Sequence, residues 1–193
     1  MSGKAVLHKT VALVGMMGAG KTSIGRRLGA RLEVPFADAD HEIETAAGMT
    51  ISEIFAKYGE PEFRRLERSV IARLLHDPPQ VLASGGGAFM DESTRSAMRE
   101  HAFTIWLKAP VEILLGRVRK RQGPDKGADN VNGQTRPLLA NDDMRGTLEK
   151  LLLVREPVYA TADMVLESAD EPHAMLLDKI VAALGSHGIC ESP

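Results

Sequence analysis

Residues 15–22, "GMMGAGKT", put bare backbone, one ammonium and one hydroxyl into a single short stretch. They match G-x-x-x-x-G-K-[ST] at Gly15, Gly20, Lys21 and Thr22. Glycines let consecutive backbone N–H groups turn inward, and such a concavity cradles phosphate. A helix beginning near Lys21 would aim its positive end at that phosphate. Lys21 would reach the β and γ oxygens as a point charge, and the Thr22 hydroxyl suits Mg²⁺. Gly18, Ala19 and Ser23 complete the stretch that would wrap the phosphates. The pattern predicts a nucleoside triphosphate cradle, without saying what receives the phosphate.

Four further groups carry candidate chemistry. "ADAD" (37–40) ends a short apolar run. In extended chain, residues i and i+2 point the same way, so Asp38 and Asp40 could share one face. One would organise a metal ion and the other would accept a proton from a hydroxyl. The bland alternative is an Asx turn capping a helix at 41. "SGGGA" (84–88) carries Gly85, Gly86 and Gly87, which imply close backbone approach to a ligand or a tight turn. "EFRRLE" sets Arg64 and Glu67 three residues apart on a helix, opposite Phe63, where unaided they read as a solvated ion pair. Arg136, in "TRPLL", follows a polar loop and suits a charge clamp on transferring phosphate, or is one surface arginine among many. Arg155, in "VREPVY", reads as a cation at a helix end.

The elements that must position these groups alternate about five times. Strands are predicted over 10–15, 34–40, 80–84, 102–108 and 162–168. Helices are predicted over 21–32, 41–48, 50–59, 61–76, 91–101, 110–121, 145–160 and 172–185. The helix opening at 145 should stop before Pro157. "TISE" at 50–53 is a capping box. Such alternation argues for an α/β fold, a parallel sheet with helices on both faces. Ligands then bind beyond the carboxyl ends of the strands, where 15–22, 38–40 and 84–87 all fall. The exception is "QGPDKGADNVNGQT" (122–135), which lacks periodicity and is nearly devoid of apolar residues; a loop of that length in a compact domain is usually functional or disordered.

Composition bounds the rest. The 193 residues suit one domain. A net charge of -2, from 24 basic and 26 acidic side chains, gives no general polyanion surface, so phosphate binding must be local and no nucleic acid is expected. No stretch approaches the roughly 18 apolar residues of a membrane helix. Cys190 is the only cysteine, which fits a reducing compartment, and the cytoplasm is the expected location.

From about 8 to 185 the chain resembles shikimate kinase. The stretches that carry the resemblance are "GMMGAGKTSIGRRLG", "FADADHEIE", "GMTISEIFAKYGEPEFRRLE", "VLASGGGAF", "RPLL" and "REPVY". The glycine loop is shared with many nucleotide-binding families, whereas the other stretches in this order are far more specific. The resemblance implies the P-loop, nucleoside-monophosphate-kinase-like α/β fold: a five-stranded parallel sheet of order 2-3-1-4-5, flanked by helices. It also implies substrate-binding helices over about 40–76 and a mobile lid over about 116–136, all within a single domain. The implied reaction is phosphoryl transfer from MgATP to the shikimate 3-hydroxyl, on the route to aromatic amino acids. Residue by residue, it assigns Gly15 to Thr22 to the ATP phosphates, Thr22 and Asp38 to Mg²⁺, and Asp40 to the reacting hydroxyl. Arg64 and Arg155 would bind the shikimate carboxylate, Glu67 would orient Arg64, and Gly85–Gly87 would meet the ring hydroxyls. Arg136 would be the lid arginine. The expected partners are these small molecules, and a monomer is the expected state.

One departure is the lid, which is longer than the family pattern. Arg117, Arg119 and Arg121 compete for the adenine contact, with Arg121 favoured. Gluconate kinase, a similar build acting on another polyhydroxylated acid, is the nearest rival, but "GEPEFRRLE" and "RPLL" argue against it. A non-catalytic nucleotide-binding module is the rival from another class. It has no need of the carboxylate at Asp40.

Overall fold

A computed structural model describes residues 6–122, 143–168 and 171–191. Seven strands occur among them: β1 (Val6–Leu7), β2 (Thr10–Val14), β3 (Phe36–Asp38), β4 (Val81–Ala83), β5 (Ala102–Lys108), β6 (Met164–Glu167) and β7 (Cys190–Glu191). The helices are α1 (Lys21–Leu32), α2 (Ala39–Ala47), α3 (Ile51–His76), α4 (Glu92–His101), α5 (Val111–Gln122), α6 (Met144–Tyr159) and α7 (His173–Ser186). Five strands form one parallel sheet in the order β3-β4-β2-β5-β6. Counted along the chain, that is the expected 2-3-1-4-5. All five residues of the central β2 are buried, as its unbroken apolar run predicts.

Local sequence explains where the site-bearing elements begin. β2 gives way to the glycine loop, and Gly20 (φ 94°) caps α1 in the left-handed region that glycine adopts without steric cost. Ile24, Leu28 and Leu32 then bury one face of α1. On that face Gly25 lets the helix lie hard against β3, because a Cβ there would sit 2.4 Å from the Phe36 ring. The predicted capping box is present: Thr50 and Glu53 satisfy each other's backbone N–H groups at the start of α3. The two helices expected over 50–76 are continuous except at Gly59 (φ 79°, ψ 174°), where the chain kinks just before Pro61.

Three features differ from expectation. α6 does not stop before Pro157 but runs on to Tyr159. Pro157 falls in the last turn, where its missing N–H costs one hydrogen bond, to the carbonyl of the exposed Leu153. The strand expected over 34–40 ends at Asp38, and Asp40 lies in the first turn of α2. A small antiparallel pair, Val6 with Glu191 and Leu7 with Cys190, ties the two ends of the described chain together. Strands of two residues are too short for periodicity to reveal.

α5 continues to residue 122, so the first part of the expected lid is helical. Arg136 and the rest of the expected lid lie outside the described residues, as does the side chain of Arg121. Among the described residues, no helix is long and apolar enough to cross a membrane.

Candidate active site

The carboxyl ends of β2, β3 and β4 converge on a cleft lined by Gly18, Gly20, Lys21, Thr22, Asp38, Asp40, Ser84 and Gly86. Three separate sequence stretches therefore meet in one place, as open α/β sheets arrange their ligand crevices. Gly15, Gly18 and Gly20 all have positive φ, which turns the loop around its own centre. Ala19 is fully buried in that loop, and the neighbouring Ser23 accepts from Arg27. Lys21 is buried and donates to the carbonyls of Gly15 at 2.7 Å and Met16 at 2.9 Å. The ammonium is thus held at the loop by the loop's own carbonyls.

Thr22 donates to Asp38 Oδ2 at 2.6 Å, and Asp38 Oδ1 accepts the backbone N–H of Asp40 at 3.1 Å. The helix-capping reading of Asp38 and the cleft-facing reading hold together. One oxygen caps α2 and the other faces the loop hydroxyl. Asp40 reaches the cleft from the first turn of α2 rather than from extended chain, correcting the geometric premise while leaving both carboxylates in the cleft. A helix N-terminus also favours negative charge. Among the described residues there is no cluster of three or more His, Cys, Asp or Glu able to hold a metal ion. A Thr22–Asp38 pair fits Mg²⁺ nonetheless, since that ion takes one or two protein oxygens and fills its octahedron with phosphate oxygens and water.

The glycine turn after β4 receives a different group at each position. A Cβ at Gly85 would lie 2.5 Å from Glu67 Oε1 and 3.0 Å from Asp40 Oδ1. One at Gly86 would lie 3.3 Å from the Met17 backbone nitrogen. One at Gly87 would lie 2.7 Å from Arg64 Nη1. Any side chain here would displace a carboxylate, the loop or a guanidinium.

The Arg64–Glu67 pair is not the solvated pair that spacing alone suggests. Glu67 is only 2% exposed and accepts from Arg64 Nη1 at 2.7 Å. Its Oε1 is buried with no hydrogen-bond partner among the described residues. Burial pushes the Glu67 carboxyl up, with the nearby Asp40 and Asp91 acting in the same direction, and Arg64 only partly offsets this. Arg64 itself is buried enough to be lowered, but Glu67 and Glu60 hold it above its ordinary value. Glu60 takes its other side, accepting from Nε at 3.2 Å and from Nη2 at 3.1 Å.

Arg155 is 7% exposed and sits a turn inside α6, not at a helix end. It donates to the Gly86 carbonyl at 3.1 Å. Two arginines from distant helices thus reach the same glycine turn. Arg117, one of the three adenine candidates, lies against the loop. Its Nη1 is 3.4 Å from the Gly18 and Ala19 carbonyls and 3.2 Å from the Ser168 hydroxyl. Sequence reading missed Ser168 and Tyr159. The latter stands four residues from Arg155 on the same helix face, the one signal that would have found it.

The shikimate kinase family model matches residues 17–185. The chain belongs to the shikimate kinase family. A shikimate kinase of Bradyrhizobium diazoefficiens is 50% identical over 179 residues, covering 93% of this chain and 81% of that protein. The structure of shikimate kinase from Acinetobacter baumannii in complex with shikimate superposes with a TM-score of 0.82 at 35% identity, covering 93% of this chain and 94% of the other. A gluconokinase from Sinorhizobium meliloti reaches a TM-score of 0.60 at 18% identity, covering 92% of each chain, and so shares the fold alone.

Proposed function

We infer that this cleft carries out the reaction of the family: ATP-dependent phosphorylation of the shikimate 3-hydroxyl. The products are shikimate 3-phosphate and ADP, in chorismate and aromatic amino acid biosynthesis. The observation that carries the assignment of the site is the meeting of Arg64 and Arg155 at a glycine turn beside Asp40 and the phosphate loop. A planar carboxylate suits the fork of an arginine, and hydroxyls suit carboxylates and backbone groups.

In this reading, the N–H groups of residues 15–22 and the Lys21 ammonium hold the triphosphate, with Gly18, Ala19, Gly20 and Ser23 shaping the cradle. Mg²⁺, held through Thr22 and Asp38, would supply neutralisation of phosphate charge. Asp40 accepts the hydrogen of the reacting hydroxyl and fixes its oxygen toward the phosphorus. Arg64 and Arg155 grip the acceptor's carboxylate, which for Arg64 means displacing the exposed Glu60. Glu67 orients Arg64, and its unpartnered Oε1 takes a donor from the acceptor or a water. Gly85–Gly87 let the ring lie against the backbone. The resemblance assigns Arg136 to the transferring phosphate, and of Arg117, Arg119 and Arg121 we favour Arg121 for the adenine contact. Transfers of this kind depend mostly on positioning and charge neutralisation, for which these groups suffice. A monomer acting in the cytoplasm completes the reading.

Two substitutions probe the two ends of the cleft. Arg64→Lys keeps the charge and loses the fork. It should weaken shikimate binding by roughly 10- to 150-fold, the scale of a lost charge-assisted hydrogen bond, with ATP binding nearly unchanged. A titration showing unaltered shikimate affinity would return Arg64 to a purely structural pair with Glu67. Asp38→Asn should raise the Mg²⁺ concentration needed for half-maximal rate, and excess Mg²⁺ should restore part of the loss. A defect indifferent to Mg²⁺ would remove Asp38 from the metal. The function itself is tested by ADP release with MgATP and shikimate, gluconate or buffer. Shikimate alone should stimulate release strongly, and equal release in all three would overturn the reading.

A further inference from the structure

The last residue of α6, Tyr159, is fully buried and donates its hydroxyl hydrogen to the Gly86 carbonyl. Arg155 donates to that same carbonyl at 3.1 Å. One backbone oxygen therefore receives two donors spaced one helical turn apart. The Met16 sulfur of the phosphate loop lies 3.9 Å from the Tyr159 hydroxyl and 3.8 Å from Arg155 Nη1. On its faces the Tyr159 ring stacks on Trp106 at 5.8 Å and on Phe89 at 6.5 Å. Trp106 in turn lies under the loop, 3.3 Å from where a Cβ at Gly15 would sit. The ring cannot shift without moving the floor of the loop.

We propose that Tyr159 is a positioning residue for the acceptor. By holding the Gly86 carbonyl, it fixes the direction of the Arg155 guanidinium and leaves the remaining N–H groups of Arg155 for the carboxylate. This rests on the reading of Arg155 given above. A carbonyl offers two lone pairs, and here both are used. Without the hydroxyl, Arg155 would be the one protein donor left to the half-buried Gly86 oxygen and would be drawn toward the backbone, away from the ligand. Burial pushes the Tyr159 phenol up to about 12, so it stays a donor throughout the neutral range. Sharing the carbonyl is a geometric device: Tyr159 touches the turn and not the acceptor, so it acts on affinity through Arg155.

The test is Tyr159→Phe, which keeps the ring and its stacking and removes one O–H. Shikimate binding to wild type and variant is read by titration calorimetry, beside steady-state kinetics. The variant should weaken shikimate binding and raise its KM roughly 3- to 10-fold, the scale of one net hydrogen bond. kcat and the KM for ATP should stay within about twofold of wild type. In an Arg155→Lys background the added effect should shrink below about twofold, as coupled residues require. Unchanged shikimate affinity, an equal rise in the KM for ATP, or the full penalty persisting beside Arg155→Lys would each overturn the proposal. Wild-type protein assayed alongside keeps this separate from the functional reading, which fails only if the wild type does not phosphorylate shikimate.

Discussion

Asp40→Asn is expected to lower kcat by about 10²- to 10⁴-fold, the range for losing a positioned proton acceptor. The side chain keeps its shape, so the cleft should keep its lining. What disappears is the negative charge and one strong acceptor facing the reacting hydroxyl. Asp40 is half-buried in the first turn of α2, and its Oδ1 lies 3.0 Å from where a Cβ at Gly85 would stand. It is therefore held between the glycine turn and the phosphate loop, where an acceptor hydroxyl must meet the γ-phosphorus. Shikimate should still bind through its carboxylate, so KM should change far less than kcat. The cost to stability should be no more than about 2 kcal/mol, the upper figure for a favourable charge at a partly buried helix N-terminus. Steady-state kinetics beside a melting curve would check both. Near-normal turnover would show that the acceptor sits elsewhere.

Lys21→Met should cut kcat/KM by about 10²- to 10³-fold, the usual loss for one preorganised electrostatic group in a site that excludes water. The Lys21 ammonium is buried, and the Gly15 and Met16 carbonyls hold it against the loop. Burying a charge is costly even when carbonyls satisfy it, and an apolar side chain of similar length avoids that cost. The loss of this donor to the Gly15 and Met16 carbonyls offsets that gain, so the variant should melt near the wild-type temperature while losing activity. This contrast separates function from folding. A variant that loses stability and activity in proportion would mean that Lys21 chiefly supports the fold.

Alternation of buried strands with helical periodicity was enough to give the sheet and its helices, because both signals are local. β2, α1 and β5 fall where the pattern puts them, within a residue. Pairings between the ends of the chain carry no local signal, and so β1 with β7 was invisible. Pro157 misled because a proline is tolerated in a last turn whose carbonyl partner is exposed. The error also hid the depth of Arg155. Glu67 shows the same limit from another side. Spacing puts it beside Arg64, but only the packing of α3 against the glycine turn makes it buried, with one oxygen lacking a partner. Asp38 and Asp40 were legible as a pair of cleft carboxylates, although one is a helix cap and the other a first-turn residue. Tyr159 was not legible as part of the site. Its role depends on a backbone oxygen 73 positions away in the chain.

The most direct measurement follows the phosphorus. Wild-type protein with MgATP and shikimate, observed by ³¹P magnetic resonance, should convert the γ-phosphate signal into that of a monoester. Its phosphorus should couple to the ring proton at carbon 3, with ADP formed in equal amount. Inorganic phosphate as the product, or a monoester coupled to any other ring position, would contradict the placement of Asp40, Arg64 and Arg155 around the acceptor.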